Sequence, residues 1–74
     1  MDIEVEVFGQ LLPGAPRKRV LTLSDPVTVE DVARVIGLQT EYVGLISING
    51  VQSEMEAPVP PDARLCFFPF LSGG

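Results

Sequence analysis

The chain opens with Ile3-Glu4-Val5-Glu6-Val7, in which apolar and acidic residues alternate with period two. That pattern predicts a strand with one buried and one wet face. Phe8 falls on the wet-face parity, together with Glu4 and Glu6. Leu11 to Pro16, punctuated by Pro13, Gly14 and Pro16, reads as a loop, and Arg19 to Leu23 as a second strand stopped by Ser24-Asp25-Pro26. The two strands make a hairpin with a long loop. Thr28 and Asp31 then have the spacing of a capping box, with an acid placed to complement the helix dipole. Val29, Val32, Ala33 and Ile36 follow as one apolar stripe, and Gly37 supplies a left-handed stop. This helix is about two turns long and depends on tertiary packing to hold in water.

Val43 to Ile48 reads as a third strand, and Asn49-Gly50 is a strong hairpin signal leading into Val51 and Gln52. Glu54 to Asp62 is polar and carries Pro58, Pro60 and Pro61, which predicts turns rather than a regular element. Arg64 to Phe68 is the last strand, with Leu65 and Phe67 on one face and Cys66 and Phe68 on the other. Pro69 has no N–H to donate and ends the ladder. Two hairpin-like units separated by one helix predict an α+β β-grasp: a mixed sheet of four to five strands wrapped around one short helix. The first and last strands have the most apolar faces and are expected to lie side by side at the centre.

With 74 residues there is room for one domain, taken as residues 1–69 with a flexible tail over 70–74. The apolar fraction of 46% is that of a folded protein. Net charge is −5, an unfavourable balance for nucleic acid, which needs clustered Lys and Arg. The one basic cluster, Arg17-Lys18-Arg19, reads as a solvated loop or a guard on an edge strand. A lone cysteine, Cys66, excludes an internal disulfide and a thiolate cluster, and the absence of histidine removes the commonest general base and metal ligand. Cys66 lies mid-strand with no histidine to activate it and is read as a packing residue. No apolar run approaches the length of a membrane span, and no signal-peptide pattern opens the chain, so the expected compartment is the cytoplasm. No metal site is expected. Glu4 and Glu6 are expected on a solvated strand face, and Glu54 and Glu56 in a solvated loop.

The chemistry-bearing feature is the tail Leu71-Ser72-Gly73-Gly74. A carboxylate is a poor electrophile until it is activated, as an acyl phosphate or acyl adenylate. Activation by a partner requires threading the terminus down a narrow channel to a nucleotide. Glycine lacks Cβ, so Gly73 and Gly74 can pass close to backbone and phosphate in conformations that other residues disfavour. Ser72 and Leu71 would then sit at the channel mouth, with the folded body as a handle.

The stretch Asp62-Ala63-Arg64-Leu65-Cys66-Phe67-Phe68-Pro69-Phe70-Leu71-Ser72-Gly73-Gly74 resembles the C-terminus of the MoaD/ThiS family of ubiquitin-like sulfur carriers. The similarity is closest to the small subunit of molybdopterin synthase, with its Phe-Phe-Pro-Pro and Ser/Thr-Gly-Gly end. Ile3 to Leu11 is similar to that family's first strand and exit, Thr28-Val29-Glu30-Asp31-Val32 to its helix start, and Ile48-Asn49-Gly50 to its Val-Asn-Gly turn. The resemblance implies a non-catalytic carrier that binds no cofactor of its own. A ubiquitin-activating-like adenylyltransferase would use ATP to adenylate Gly74, and a sulfur donor would convert the adenylate to a thiocarboxylate. The acceptor would be the molybdopterin synthase large subunit or another sulfur acceptor enzyme, with no nucleic acid or membrane partner. Phe8 and Phe68 match a surface patch with which the family docks its partners, and Phe70 is grouped with them as interface. Phe70 also stands where the family usually has a second proline, and the helix is shorter than is typical, so a thiamin-pathway carrier stays open. So does a protein modifier that forms isopeptide bonds through Gly74, though with Lys18 as the sole lysine self-linked chains would be restricted to one internal site. A third class is a non-covalent interaction domain for which the tail is dispensable.

Overall fold

The computed structural model describes residues 1–24 and 26–70. Asp25 and the Leu71–Gly74 stretch of the expected tail lie outside the described residues. Five strands and one α-helix follow in the order β1 (Asp2–Val7), β2 (Lys18–Thr22), α1 (Val29–Ile36), a 3-10 turn (Thr40–Tyr42), β3 (Val43–Ile48), β4 (Val51–Ser53) and β5 (Arg64–Pro69). The sheet order is β2-β1-β5-β3-β4. β1 and β5 are parallel central neighbours, and the other pairings are antiparallel. The expected pairing of the first and last strands is therefore the middle of the sheet, and the α+β β-grasp reading holds.

One face of the sheet carries Ile3, Val5, Ile46, Leu65 and Phe67, which form a single cluster with Val29, Val32, Ala33 and Ile36 of α1. The capping box at Thr28 is complete: the Asp31 N–H donates to Thr28 Oγ1 at 3.2 Å, and the Thr28 N–H donates to Asp31 Oδ2 at 2.9 Å. The turn-rich segment after β4 supplies the next acceptors, Ala57 O for the Val29 N–H and Met55 O for the Glu30 N–H. The amide donors that a helix start leaves unpaired are thus met inside the fold, and this end of α1 is sealed. Gly37 takes the left-handed cap with φ 78°. Val59 and Ala63 of the proline-rich segment are buried in the core cluster, so its turns are packed.

Three local expectations are corrected. β2 runs one residue earlier at each end than the reading of Arg19 to Leu23. The connection between α1 and β3 holds a 3-10 turn that the sequence did not announce. Pro69 is the last residue of β5 and still pairs with Val43, because a proline at a strand end gives up only a donor.

Candidate functional site

The parity that places Phe8 outward is continued by β5. Glu4, Glu6 and the side chains paired with them, Arg64 and Cys66, point away from α1, and Phe8 and Phe68 extend the same two rows. The Phe8 N–H donates to Phe67 O at 2.9 Å, which carries the β1–β5 ladder one residue past β1. This brings the two rings together: their centroids are 4.6 Å apart and their planes 9° from parallel. Both residues are half-buried. The Arg17 guanidinium carbon lies over the Phe8 ring, 5.7 Å from its centroid, within range of a cation–π contact. Leu45 of β3 pairs with Phe68 and is 41% exposed, which continues the apolar patch across the sheet.

The same outer face corrects one expectation. Glu6 is not on a solvated surface; only 8% of it is exposed. Arg64 Nη2 donates to Glu6 Oε1 at 2.6 Å. This hydrogen bond holds the Glu6 carboxyl below its ordinary pKa, against the opposing cost of burial. Glu4 is half-buried with its carboxylate 3.5 Å from Lys18 Nζ. Cys66 is buried on this face, outside the core cluster, in agreement with a packing role. Arg19 Nη2 reaches the Ile36 carbonyl of α1 at 3.4 Å. Each member of the basic cluster therefore has a contact inside the molecule, and Lys18 and Arg19 stand on β2, an edge strand of the sheet.

Phe70 is 65% exposed and is the last described residue. With Pro69, Gln10, Leu11 and Tyr42 it lines a largely apolar groove of about 270 Å³ at the root of the tail. Gly44, which the sequence reading did not single out, and Gly9, which entered it only within the exit from the first strand, stand at this root. A Cβ on Gly44 would lie 2.8 Å from Phe70 Cα and 2.9 Å from both the Phe70 nitrogen and the Pro69 oxygen. A Cβ on Gly9, whose φ is +65°, would lie 2.7 Å from Pro69 Cγ. Gly44 sits at the register shift between Val43 and Leu45, so the bulge in β3 is where the exiting chain comes close. The Phe70 N–H donates to Tyr42 O at 3.4 Å. Nothing local in the sequence distinguishes a glycine needed for close approach from one in an ordinary turn.

Gly74, Gly73, Ser72 and Leu71 lie outside the described residues. Among the described residues there is no group of three or more His, Cys, Asp or Glu side chains able to hold a metal ion. A hollow of about 680 Å³, open to solvent, is lined by Gln52, Ser53, Glu54, Glu56 and Ala57. No helix among the described residues is long and apolar enough to cross a membrane.

No protein-family model matches the chain, and no curated protein matches it. Among solved structures the chain is similar to SAMP1 from Haloferax volcanii, with a TM-score of 0.77 over 100% of both chains at 21% sequence identity. A likeness that spans both chains end to end at so low an identity is a likeness of fold: the chain has the ubiquitin-like β-grasp fold of that protein.

Proposed function

We propose that the chain is a sulfur carrier that acts through the carboxylate of Gly74 and has no catalytic centre of its own. The observation that carries the reading is that the Phe8–Phe68 stack and Phe70 lie at one end of the sheet. A partner that grips the aromatic patch is thereby beside the point where Leu71–Gly74 begin. Exposed apolar surface next to a reactive terminus fits a docking site, and stacked aromatics make good anchors because few rotamers are lost on binding. The similarity to SAMP1 along the whole chain supports the same reading at the level of the fold.

In this reading the activating partner is an adenylyltransferase of the ubiquitin-activating class. A Gly74 carboxylate oxygen attacks the α-phosphorus of ATP and pyrophosphate leaves. A sulfide-equivalent donor then attacks the acyl carbon and AMP departs with that oxygen, leaving a thiocarboxylate. The carrier supplies the tail, the rigid body behind it and the docking patch. The acceptor is an enzyme that builds sulfur into a small molecule, in first place the large subunit of a molybdopterin synthase, with a thiamin-pathway enzyme as the alternative. The cytoplasm is the compartment that supplies ATP and such partners.

Intact mass spectrometry of the protein from its native cells tests this. The expected result is a mass gain equal to sulfur minus oxygen, absent from a variant lacking Gly74. Higher-mass conjugates that require Gly74, with no thiocarboxylate, would replace the carrier with a protein modifier. The body itself offers such a modifier few attachment points, since Lys18 is the sole lysine and the Met1 ammonium donates to the Leu23 carbonyl.

A further inference from the structure

We infer that Gly9 and Gly44 form a steric collar that sets where the C-terminal segment leaves the body, and are positioning residues for delivery of Gly74 to its partner. The inference rests on the carrier reading and goes beyond it, since the collar assigns a role to two residues outside the tail and the aromatic patch.

The geometry is tight on two sides. Gly44 approaches backbone atoms of Pro69 and Phe70, which cannot rotate away as the end of a side chain can. Gly9 approaches the Pro69 ring from the β1 side, and its φ of +65° is one that side-chain-bearing residues disfavour. Pro69 fixes its own φ, and the Phe70 N–H is tied to Tyr42 O. Four constraints therefore converge on two consecutive residues at the end of the central strand. β5 is already held on both sides along Leu65–Phe67 by β1 and β3, and beyond Phe68 the Val43–Pro69 pair is its last rung. What the collar adds is a defined position for Pro69 and Phe70, from which the chain continues. A partner reading that tail through a channel gains from a fixed origin, because part of the ordering entropy is already lost before binding.

The contrast with other glycines sharpens the assignment. Gly14 and Gly50 also have positive φ, yet a Cβ on either would meet nothing within 4 Å. Backbone strain and close approach can thus be separated by substitution.

The test compares Gly44→Ala and Gly9→Ala with Gly50→Ala, which shares the backbone strain of Gly9 but lies away from the root of the tail. Adenylation by the activating enzyme with ATP is followed as pyrophosphate release, and amide hydrogen exchange is followed at Phe70. Gly44→Ala and Gly9→Ala are expected to lower kcat about ten- to hundredfold with KM within about twofold, as a misplaced reacting group does. Exchange at Phe70 should be faster in both. Gly50→Ala should leave kcat and the Phe70 amide as in the wild type. Gly9→Ala combined with Pro69→Ala removes the Cγ that the new methyl meets, so measured against Pro69→Ala alone, which has already lost the fixed φ, the added Gly9→Ala should lower kcat little further. If Gly44→Ala does not fold, the Gly9 pair carries the test. Wild-type adenylation with undiminished kcat in the collar variants overturns the collar, as does a full further loss on adding Gly9→Ala to Pro69→Ala. Absence of adenylation in the wild type overturns the carrier reading itself, and the collar's role falls with it.

Discussion

At the scale of single residues, the Glu6–Arg64 pair shows what a strand pattern conceals. Alternation correctly put Glu6 on the face opposite the helix, but that face is covered at this point. Arg64 reaches Glu6 from a strand 58 residues away in sequence. A buried carboxylate that keeps its charge needs such a partner, and removing the partner costs more than the pair contributes. The pH dependence follows from the sign of the shift. The folded-state pKa of Glu6 is depressed, so its contribution is fully present above the unfolded value of about 4.3 and is lost as pH falls through the lower folded value. Asp31, also lowered by its hydrogen bonds to Thr28, adds to the same acid limb. Replacing Glu6 by Gln is expected to lower stability at pH 7 and to flatten the fall between about pH 5 and pH 3. Urea unfolding midpoints at the two pH values check this; an acid limb identical to the wild type's would remove Glu6 from it. The outward aim of Phe8 was legible from parity, and the resemblance set Phe68 beside it in one patch. The stacking of the two rings and the cation above Phe8 were not legible, since neither is a property of one strand.

Among the elements, α1 is the one whose formation the local code explains most fully. Eight residues are too few to be helical alone, so the caps and the stripe share the task with the sheet. Thr28→Ala removes the acceptor for the Asp31 N–H and should cost about 1 kcal/mol, lowering Tm by about 4–8 °C for a domain of this size. Thermal unfolding followed by circular dichroism measures it, and an unchanged Tm would mean that Met55 and Ala57 hold the helix start without the box. Those two acceptors lie in the segment whose prolines and polar residues announced turns but not their packing against the helix. The same division holds for β3. Its strand character and its Asn49-Gly50 turn were readable, and Asn49 and Gly50 indeed take φ 52° and 82°. Its bulge at Gly44 was not, because the need for it comes from the chain passing alongside.

For the whole molecule, the decisive feature is that the two central strands come from the two ends of the sequence. Neither β1 nor β5 can complete its ladder until the intervening chain has folded back, which makes the sheet cooperative and its closure non-local. Fragments 1–36 and 37–74 each lack one central strand and are expected to be unstructured alone and to regain native circular dichroism on mixing. A stable fold in either fragment alone would contradict this. The fold class was readable from element order because so few arrangements place two hairpins and one helix in a chain of 74 residues. The glycines of the tail are what the proposed chemistry rests on, and they lie outside the described residues. The close approach of Gly9 and Gly44 to Pro69 and Phe70 exists only once the strands are assembled.

Because β1 and β5 run in the same direction, Met1 and Phe70 lie at opposite ends of the sheet. The molecule is therefore an asymmetric tool. An affinity tag, a dye or a whole fusion partner joined at Met1 sits at the far pole from the Phe8–Phe68 stack and the groove beside Phe70. A pull-down bait anchored through Met1 therefore offers that aromatic end to its binders, and under the proposed carrier function a bait held through Gly74 would not react.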